Sequence, residues 1–389
     1  MKVSALETLA LAALAVALGY WLRARLAMIE RLHIPPAIAG GLLFALANLA
    51  LHQSGFSVEF DASLRDPLAI TCFAIIGFNS SFRVLKRGGT LIASLLAMAT
   101  LGGALQNVIG SALAKIFGLS VFVGPLAGSV SLAGGPATSQ AFGATFEELG
   151  VRGAATIAIA SATFGIAISG LVAGALGGWL IKRYSLVGDG ATPVPTAASL
   201  EAPLALGRHT LWIAVVLGTG AMLSRAIAAT GVVMPAYIGA MTIAAIVRNA
   251  DDKWSFARLS EETFDKIFTA LLPLFIGMAM VTLKLWELEK LALALIVILC
   301  VQVVVTIAYC TACFRVFGGD YNAAVATAGF CGVMLGITPN AMASMEALAA
   351  KHGPAPRAFL AVPVVGGFLI DFANSLLITG TIAVLRLLH

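Results

Sequence analysis

The chain has 389 residues, of which 60% are hydrophobic and 11% charged, and its mean hydropathy is +0.97. Soluble domains carry roughly 25% charged residues, so the composition excludes a soluble globular protein and indicates a polytopic membrane protein. The net charge of +5 is not a nucleic-acid signal. Basic residues cluster in short loops, as on the cytoplasmic side of membrane proteins, and membrane lipid rather than nucleic acid is the expected surrounding partner.

A spanning helix needs about 20 largely apolar residues. Spans are predicted at about 5–22, 35–51, 67–82 and 91–117, separated by loops carrying Arg23, Arg25 and Arg31, then Glu59, Asp61, Arg65 and Asp66, then Arg83, Lys86 and Arg87. The first run reads as a spanning helix rather than a removed signal. After the fourth span comes a different kind of stretch, from Gly128-Ser129-Val130-Ser131 through Gly134-Gly135-Pro136-Ala137-Thr138-Ser139-Gln140. It is small, polar and broken by glycine and proline. Such a segment survives at membrane depth only where protein buries it or a water-filled cavity meets it. A fifth span at about 154–181 closes the first half.

Residues 184–206 are rich in Pro, Ala, Thr and Ser and read as a cytoplasmic linker. The second half then replays the first, with spans at about 209–229, 234–247, 267–285, 291–317 and 359–388. Pro36-Ala37-Ile38-Ala39-Gly40 matches Pro235-Ala236-Tyr237-Ile238-Gly239, Ile76-Gly77 matches Ile276-Gly277, and Phe117-Gly118 matches Phe317-Gly318. The second broken stretch, Gly336-Ile337-Thr338-Pro339-Asn340, follows the fourth span of its half. The expected fold is therefore an all-α membrane protein of two repeats, 1–183 and 207–389. Each would have five spans and one re-entrant hairpin, at about 120–146 and 320–346. An odd number of crossings inverts the second repeat, the plan of many secondary transporters. With both termini outside, the inner loops hold 16 of the 24 Lys and Arg residues and the outer side 8, which agrees with the positive-inside rule.

Paired helix breaks at corresponding places in two repeats point to a transporter's binding site. Freed N–H groups at broken helix ends bind anions, and freed carbonyls coordinate Na⁺. The expected substrate ligands at the two tips are Gly134, Gly135, Thr138 and Ser139, and Thr338 and Asn340. Asp371 lies in the middle of the last span and is the one carboxylate expected deep in a membrane helix; Asn374 shares its face. A central Asp is expensive in lipid and usually functional. Together these two suit Na⁺ or a substrate ammonium, and Asn79, Ser129 and Ser131 join Asp371 as expected Na⁺ ligands. Na⁺ is the only metal expected, and no cofactor is expected beyond this coupling ion. Gln106 and Gln302 are intramembrane amides that could equally bond helices together.

Enzyme signals are weak. The five histidines fall at predicted loops or span ends, and there is no H-E-x-x-H, G-x-S-x-G or P-loop. Asp251-Asp252-Lys253 reads as a solvated loop rather than a metal site, and Cys310-x-x-Cys313 as helix packing. The odd number of cysteines implies no disulfide framework.

Ser63-Leu64-Arg65-Asp66-Pro67-Leu68, Ile76-Gly77-Phe78-Asn79, Leu126-Ala127-Gly128-Ser129 with Gly134-Gly135, Leu283-Lys284-Leu285-Trp286-Glu287-Leu288, Gly336-Ile337-Thr338-Pro339-Asn340-Ala341 and Ile370-Asp371-Phe372-Ala373-Asn374 keep one order along nearly the whole chain. In them the sequence resembles the bacterial sodium/glutamate symporters. The resemblance implies Na⁺-driven uptake of L-glutamate across the bacterial inner membrane by a homodimer. It also implies an elevator-like movement of a hairpin-bearing domain against a dimerising scaffold. Two positions depart from the family's pattern: Pro136 and Phe330 stand where histidines are common. The alternatives are Na⁺-coupled symport of another small carboxylate and, further off, a cation antiporter.

Overall fold

The computed structural model describes residues 2–31, 34–56, 58–81, 83, 89–188, 203–229, 236–288 and 291–388. Most of the expected linker, as well as Lys86, Arg87 and Pro235, lies outside the described residues. The helices are α1 Ala5–Arg25, α2 Pro36–Gln53, α3 Arg65–Asn79, α4 Gly89–Ile116, α5 Val123–Leu126, α6 Gly135–Glu148 and α7 Ala154–Arg183. The second half gives α8 Pro203–Ala228, α9 Ala236–Trp254, α10 Glu261–Val281, α11 Ala292–Val316, α12 Tyr321–Leu335, α13 Thr338–His352, α14 Pro356–Val364 and α15 Ile370–Leu388.

Among the described residues, eight helical stretches are long and apolar enough to cross a membrane, and the chain is a multi-pass membrane protein. Eight of the ten expected spans are thus found. The other two, α3 and α9, pack against one another. At 15 residues, α3 is about 22 Å long, short of the roughly 30 Å of bilayer hydrocarbon. The C-terminal turns of α9 carry Asn249, Asp251, Asp252 and Lys253.

Among the described residues the fold is all-helical as expected, apart from one short pair in which Lys2–Val3 (β1) runs parallel to Glu59–Phe60 (β2) and ties the residues before α1 to the α2–α3 loop. Two expectations need correction. The last span is not one regular helix, because a π-helical segment, Val365–Leu369, separates α14 from α15 just before Asp371. Asp251 and Asp252 are not solvated loop residues. They lie inside α9, and Asp251 is 6% exposed. Its Oδ1 accepts from the N–H groups of Ala257 (2.7 Å) and Arg258 (3.0 Å), and its Oδ2 from that of Leu259 (2.8 Å). Those bonds hold a turn in which Ser255 and Arg258 adopt positive φ. His209 lies in the first turn of its span, as expected, but not in a loop. It is buried within α8, where its Nε2 accepts from Ser260 N–H at 2.8 Å.

The helices sort into two bodies. In one, α1, α2, α3, α8, α9 and α10 pack on each other; in the other, α4, α7 and α11 to α15 enclose α5 and α6. Contacts between the bodies are sparse and run chiefly from α10 and α3 to α6, from α3 to the π segment, and from α3 and α9 to α15. Close helix approach in the first body uses small residues, the usual device where lipid supplies no hydrophobic drive between helices. A Cβ on Gly40 of α2 would come within 1.8 Å of the Ala15 carbonyl oxygen of α1, and one on Gly239 of α9 within 2.3 Å of the Gly220 carbonyl oxygen of α8. Both helix pairs, one in each half of the chain, are thus locked by glycine at the crossing.

Candidate functional site

Both broken stretches form real interruptions in the second body. The first falls from α5 through successive turns at 127–134 into α6. The second is a break at Gly336-Ile337 between α12 and α13. Proline sits in the first turn of α6 (Pro136) and of α13 (Pro339), where its missing N–H leaves no intrahelical bond unmade. The two breaks meet. Gly135 has φ +63°, and a Cβ there would lie 3.2 Å from the Ile337 side chain and 3.7 Å from the Gly336 carbonyl oxygen. Glycine is needed at this turn because a left-handed backbone is costly for a side chain with a Cβ.

Amides from two neighbouring helices clamp the first tip. Ser129 N–H donates to Asn107 Oδ1 of α4 at 3.1 Å, and Asn374 Nδ2 of α15 donates to the Ser129 carbonyl at 2.8 Å. Asn107 Nδ2 in turn reaches Thr381 Oγ1 at 3.2 Å. After these bonds, Ser129 Oγ and Asn374 Oδ1 are buried without a partner, and Asn374 Oδ1 and Ser129 Cβ both face Gly103. At the second tip, Thr338 Oγ1 donates to the Gly366 carbonyl of the π segment at 2.6 Å. Asn340 Nδ2 donates to Ile166 O and Ser169 Oγ of α7, each at 2.7 Å, leaving its Oδ1 buried and unpartnered. Orphaned buried oxygens are costly to leave unpaired, and oxygen is the ligand type a small hard cation takes.

Other expected ligands are already engaged. Ser131 Oγ donates to the Leu126 carbonyl. Ser139 Oγ contacts Ser131 Oγ at 3.2 Å and Ala158 O at 3.3 Å, so both hydroxyls pin the first hairpin to itself and to α7. Gly134 is closed over by Thr138, whose Cβ would lie 2.5 Å from an added Cβ, and Thr138 is 1% exposed. Asn79 is not gathered with Ser129. Its Nδ2 donates to Asp265 Oδ1 of α10 at 2.8 Å in the first body. Asp371 is half-buried one residue into α15, and its carboxylate forms no hydrogen bond or ion pair among the described residues.

α10 starts at Glu261 rather than near 267, which brings Asp265 inside it. The signal was present: Ser260 accepts from Thr263 N–H, and Glu261 and Glu262 fill the first turn, a helix-start signature. Gln106 and Gln302 take the interhelical role. Gln302 Nε2 donates to Gln106 O at 2.7 Å, and Gln106 Nε2 to Met334 O at 3.0 Å. Phe330 stacks edge-on against Phe317 at 5.2 Å, so the position fills an aromatic contact with α11.

A second polar region lies away from the tips. A cavity of about 770 Å³ opens between the ends of α2 and α10 on one side and α6 and the start of α7 on the other. Asn48, Gln140, Arg65, Arg152, Lys284 and Glu287 line it, and none of the residues expected to bind substrate or Na⁺ does. Glu287 lies within a single helical turn, Leu285–Leu288, after α10 and sits over Gly153, where an added Cβ would come within 2.9 Å of its carboxylate.

Fold and site together define a multi-pass helical membrane protein with two facing helix breaks, the first bonded to Asn374 of the helix that carries Asp371. A family model described as Sodium/glutamate symporter matches residues 1–354. The chain is 37% identical to the Sodium/glutamate symporter of Escherichia coli (strain K12) over 384 residues, covering 96% of each. It is 34% identical to that of Haemophilus influenzae over 401 residues, covering 99% of this chain and 98% of the other. The chain belongs to the sodium/glutamate symporter family. A solved sodium proton antiporter from Methanocaldococcus jannaschii aligns over 98% of both chains at 16% identity and a TM-score of 0.42, too distant to bear on fold or function.

Proposed function

We propose that this protein is a secondary transporter, not an enzyme, that couples inward Na⁺ flow to uptake of L-glutamate across the bacterial inner membrane. The observation that carries the mechanism is the meeting of the two helix breaks at Gly135 and Ile337 beside buried oxygens without partners. Membership of the family and the relatives' names supply the cargo. Backbone N–H groups of the tips hold the substrate carboxylates, joined by Thr338 when its hydroxyl leaves the Gly366 carbonyl. Ser129 Oγ, Asn374 Oδ1 and the carboxylate of Asp371 hold Na⁺ and face the substrate ammonium. Na⁺ is cargo here, and no other cofactor is needed.

The two halves, 1–183 and 207–389, act as inverted repeats joined by a cytoplasmic linker at 184–206, with both termini outside. The two hairpins are re-entrant. The second body moves as an elevator against the first, which forms the homodimer. The sparse contacts between the bodies support this division. A ligand shifts such an equilibrium only by its differential affinity for the two states, so bound Na⁺ and glutamate must together favour the moving form.

The test is labelled L-glutamate uptake in proteoliposomes with and without an inward Na⁺ gradient. Accumulation only under the gradient is expected; equal uptake without Na⁺ contradicts the reading. Pro136 and Phe330, at the family's histidine positions, favour one second reading, symport of another small carboxylate. Uptake that such an acid inhibits more strongly than glutamate would establish it.

A further inference from the structure

We infer that the cavity between the two bodies is an outer docking site for an amino-dicarboxylate. There Gln140 donates a hydrogen bond to a substrate carboxylate before the tips receive it. The inference rests on the symport reading above and adds a second binding step to it.

Gln140 is 2% exposed and lines the cavity, yet its Nε2 has no acceptor. A buried amide without a partner costs stability, and an oxygen brought into the cavity would remove that cost. Asn48 stands in the facing wall, 6% exposed, and its side chain makes no hydrogen bond among the described residues. Two buried amides from opposite bodies thus line one open volume, and among the described residues no group uses Gln140's free N–H.

The charges around them suit a zwitterion. Arg152 and Lys284 form no ion pair among the described residues, and Arg65 has only Asp66, 73% exposed, at 3.7 Å. Glu59, Glu147 and Glu287 stand among these three cations. A dicarboxylate finds positive partners on the rim and an amide donor on the floor, while an ammonium finds Glu287. The volume of about 770 Å³ lies within the range of roughly 300–1,000 Å³ typical of small-molecule sites. The cavity is on the face of the β1–β2 pair, which the charge bias puts outside.

Position links this site to the tips. Gln140 directly follows Ser139 on α6, the helix that opens at Gly135. Substrate held by Gln140 therefore touches the arm that must move, while Asn48 and Lys284 belong to the opposing body. Docking engages both bodies before either tip rearranges.

The experiment measures KM and maximal rate for labelled L-glutamate in right-side-out and inside-out membrane vesicles carrying the full chain. Gln140→Leu is expected to raise KM on the cavity side by about tenfold, with a much smaller change on the other side. Arg152→Gln changes an exposed rim residue that leaves the core intact and should raise the same KM by about threefold. Wild-type vesicles that accumulate no glutamate would overturn the symport reading itself. Normal wild-type uptake with unchanged KM in both variants, or an equal rise from both faces, overturns the docking site alone.

Discussion

At the hairpin tips most polar groups are spent on each other, whereas in the outer cavity they are left over. Ser131, Ser139, Asn340 and Thr338 all donate within the protein, and the tips are closed around buried Ser129 and Thr138. Gln140, Arg152 and Lys284 face open volume. The contrast separates two tasks. A site that holds a dehydrated ion needs oxygens fixed in advance by neighbours, as Asn107 and Asn374 fix Ser129. A site that meets substrate from water needs groups with unused bonding capacity.

The strongest way to break this division is Asp371→Asn. If Asp371 carries the cation at the tips, the substitution should lower Na⁺-driven glutamate accumulation by about a hundredfold, because a charged ligand is lost. Near-normal coupled uptake would move the cation site elsewhere. Next comes a change far from both sites. Asp251→Ala removes three buried bonds to the turn after α9 and should cost about 2 kcal/mol of stability, read as a lower unfolding temperature in detergent. Unchanged KM in the folded fraction would show that this cluster is scaffolding.

A smaller effect sharpens the tip. Gly135→Ala places a Cβ at φ +63° and 3.2 Å from Ile337. It should cost about 1 kcal/mol and slow transport from both faces alike, unlike Gln140→Leu. The smallest expected effect lies in the cavity. Burial, reinforced by Glu147 and opposed by Lys284, holds the Glu287 carboxyl above its usual 4.5; Arg65 and Arg152 also line this space. A docked ammonium favours the ionised form. Outer-face affinity should therefore fall as pH drops through Glu287's raised value, and Glu287→Gln should flatten that profile while raising KM about threefold. An identical pH profile in wild type and variant would remove Glu287 from the docking site.

Long apolar runs made most spans legible in the sequence, and glycine with proline marked both helix breaks, since those residues report backbone constraint directly. What escaped depended on neighbours distant in the chain. Asp265 was hidden because the charged start of α10 masks an N-terminal turn as a loop. The buried role of Asp251 depends on a fold-back of six to eight residues, and a DD dipeptide resembles any solvated pair. β1 and β2 have two residues each, below any periodic signal. Asn48 and Gln140 are single amides from different helices, and only folding puts them around one cavity. The π segment at Gly366-Gly367 also has no periodicity to betray it, yet it sets the start of α15 beside Asp371.

The measurement that tests the central claim most directly is reciprocal coupling between Na⁺ and L-glutamate on the purified protein, by calorimetric titration of each in the absence and presence of the other. If both bind together at the joined tips, each must tighten the other by the same factor, and Asp371→Asn must abolish that factor. Tight glutamate binding that is indifferent to Na⁺ in the wild-type protein would contradict the account.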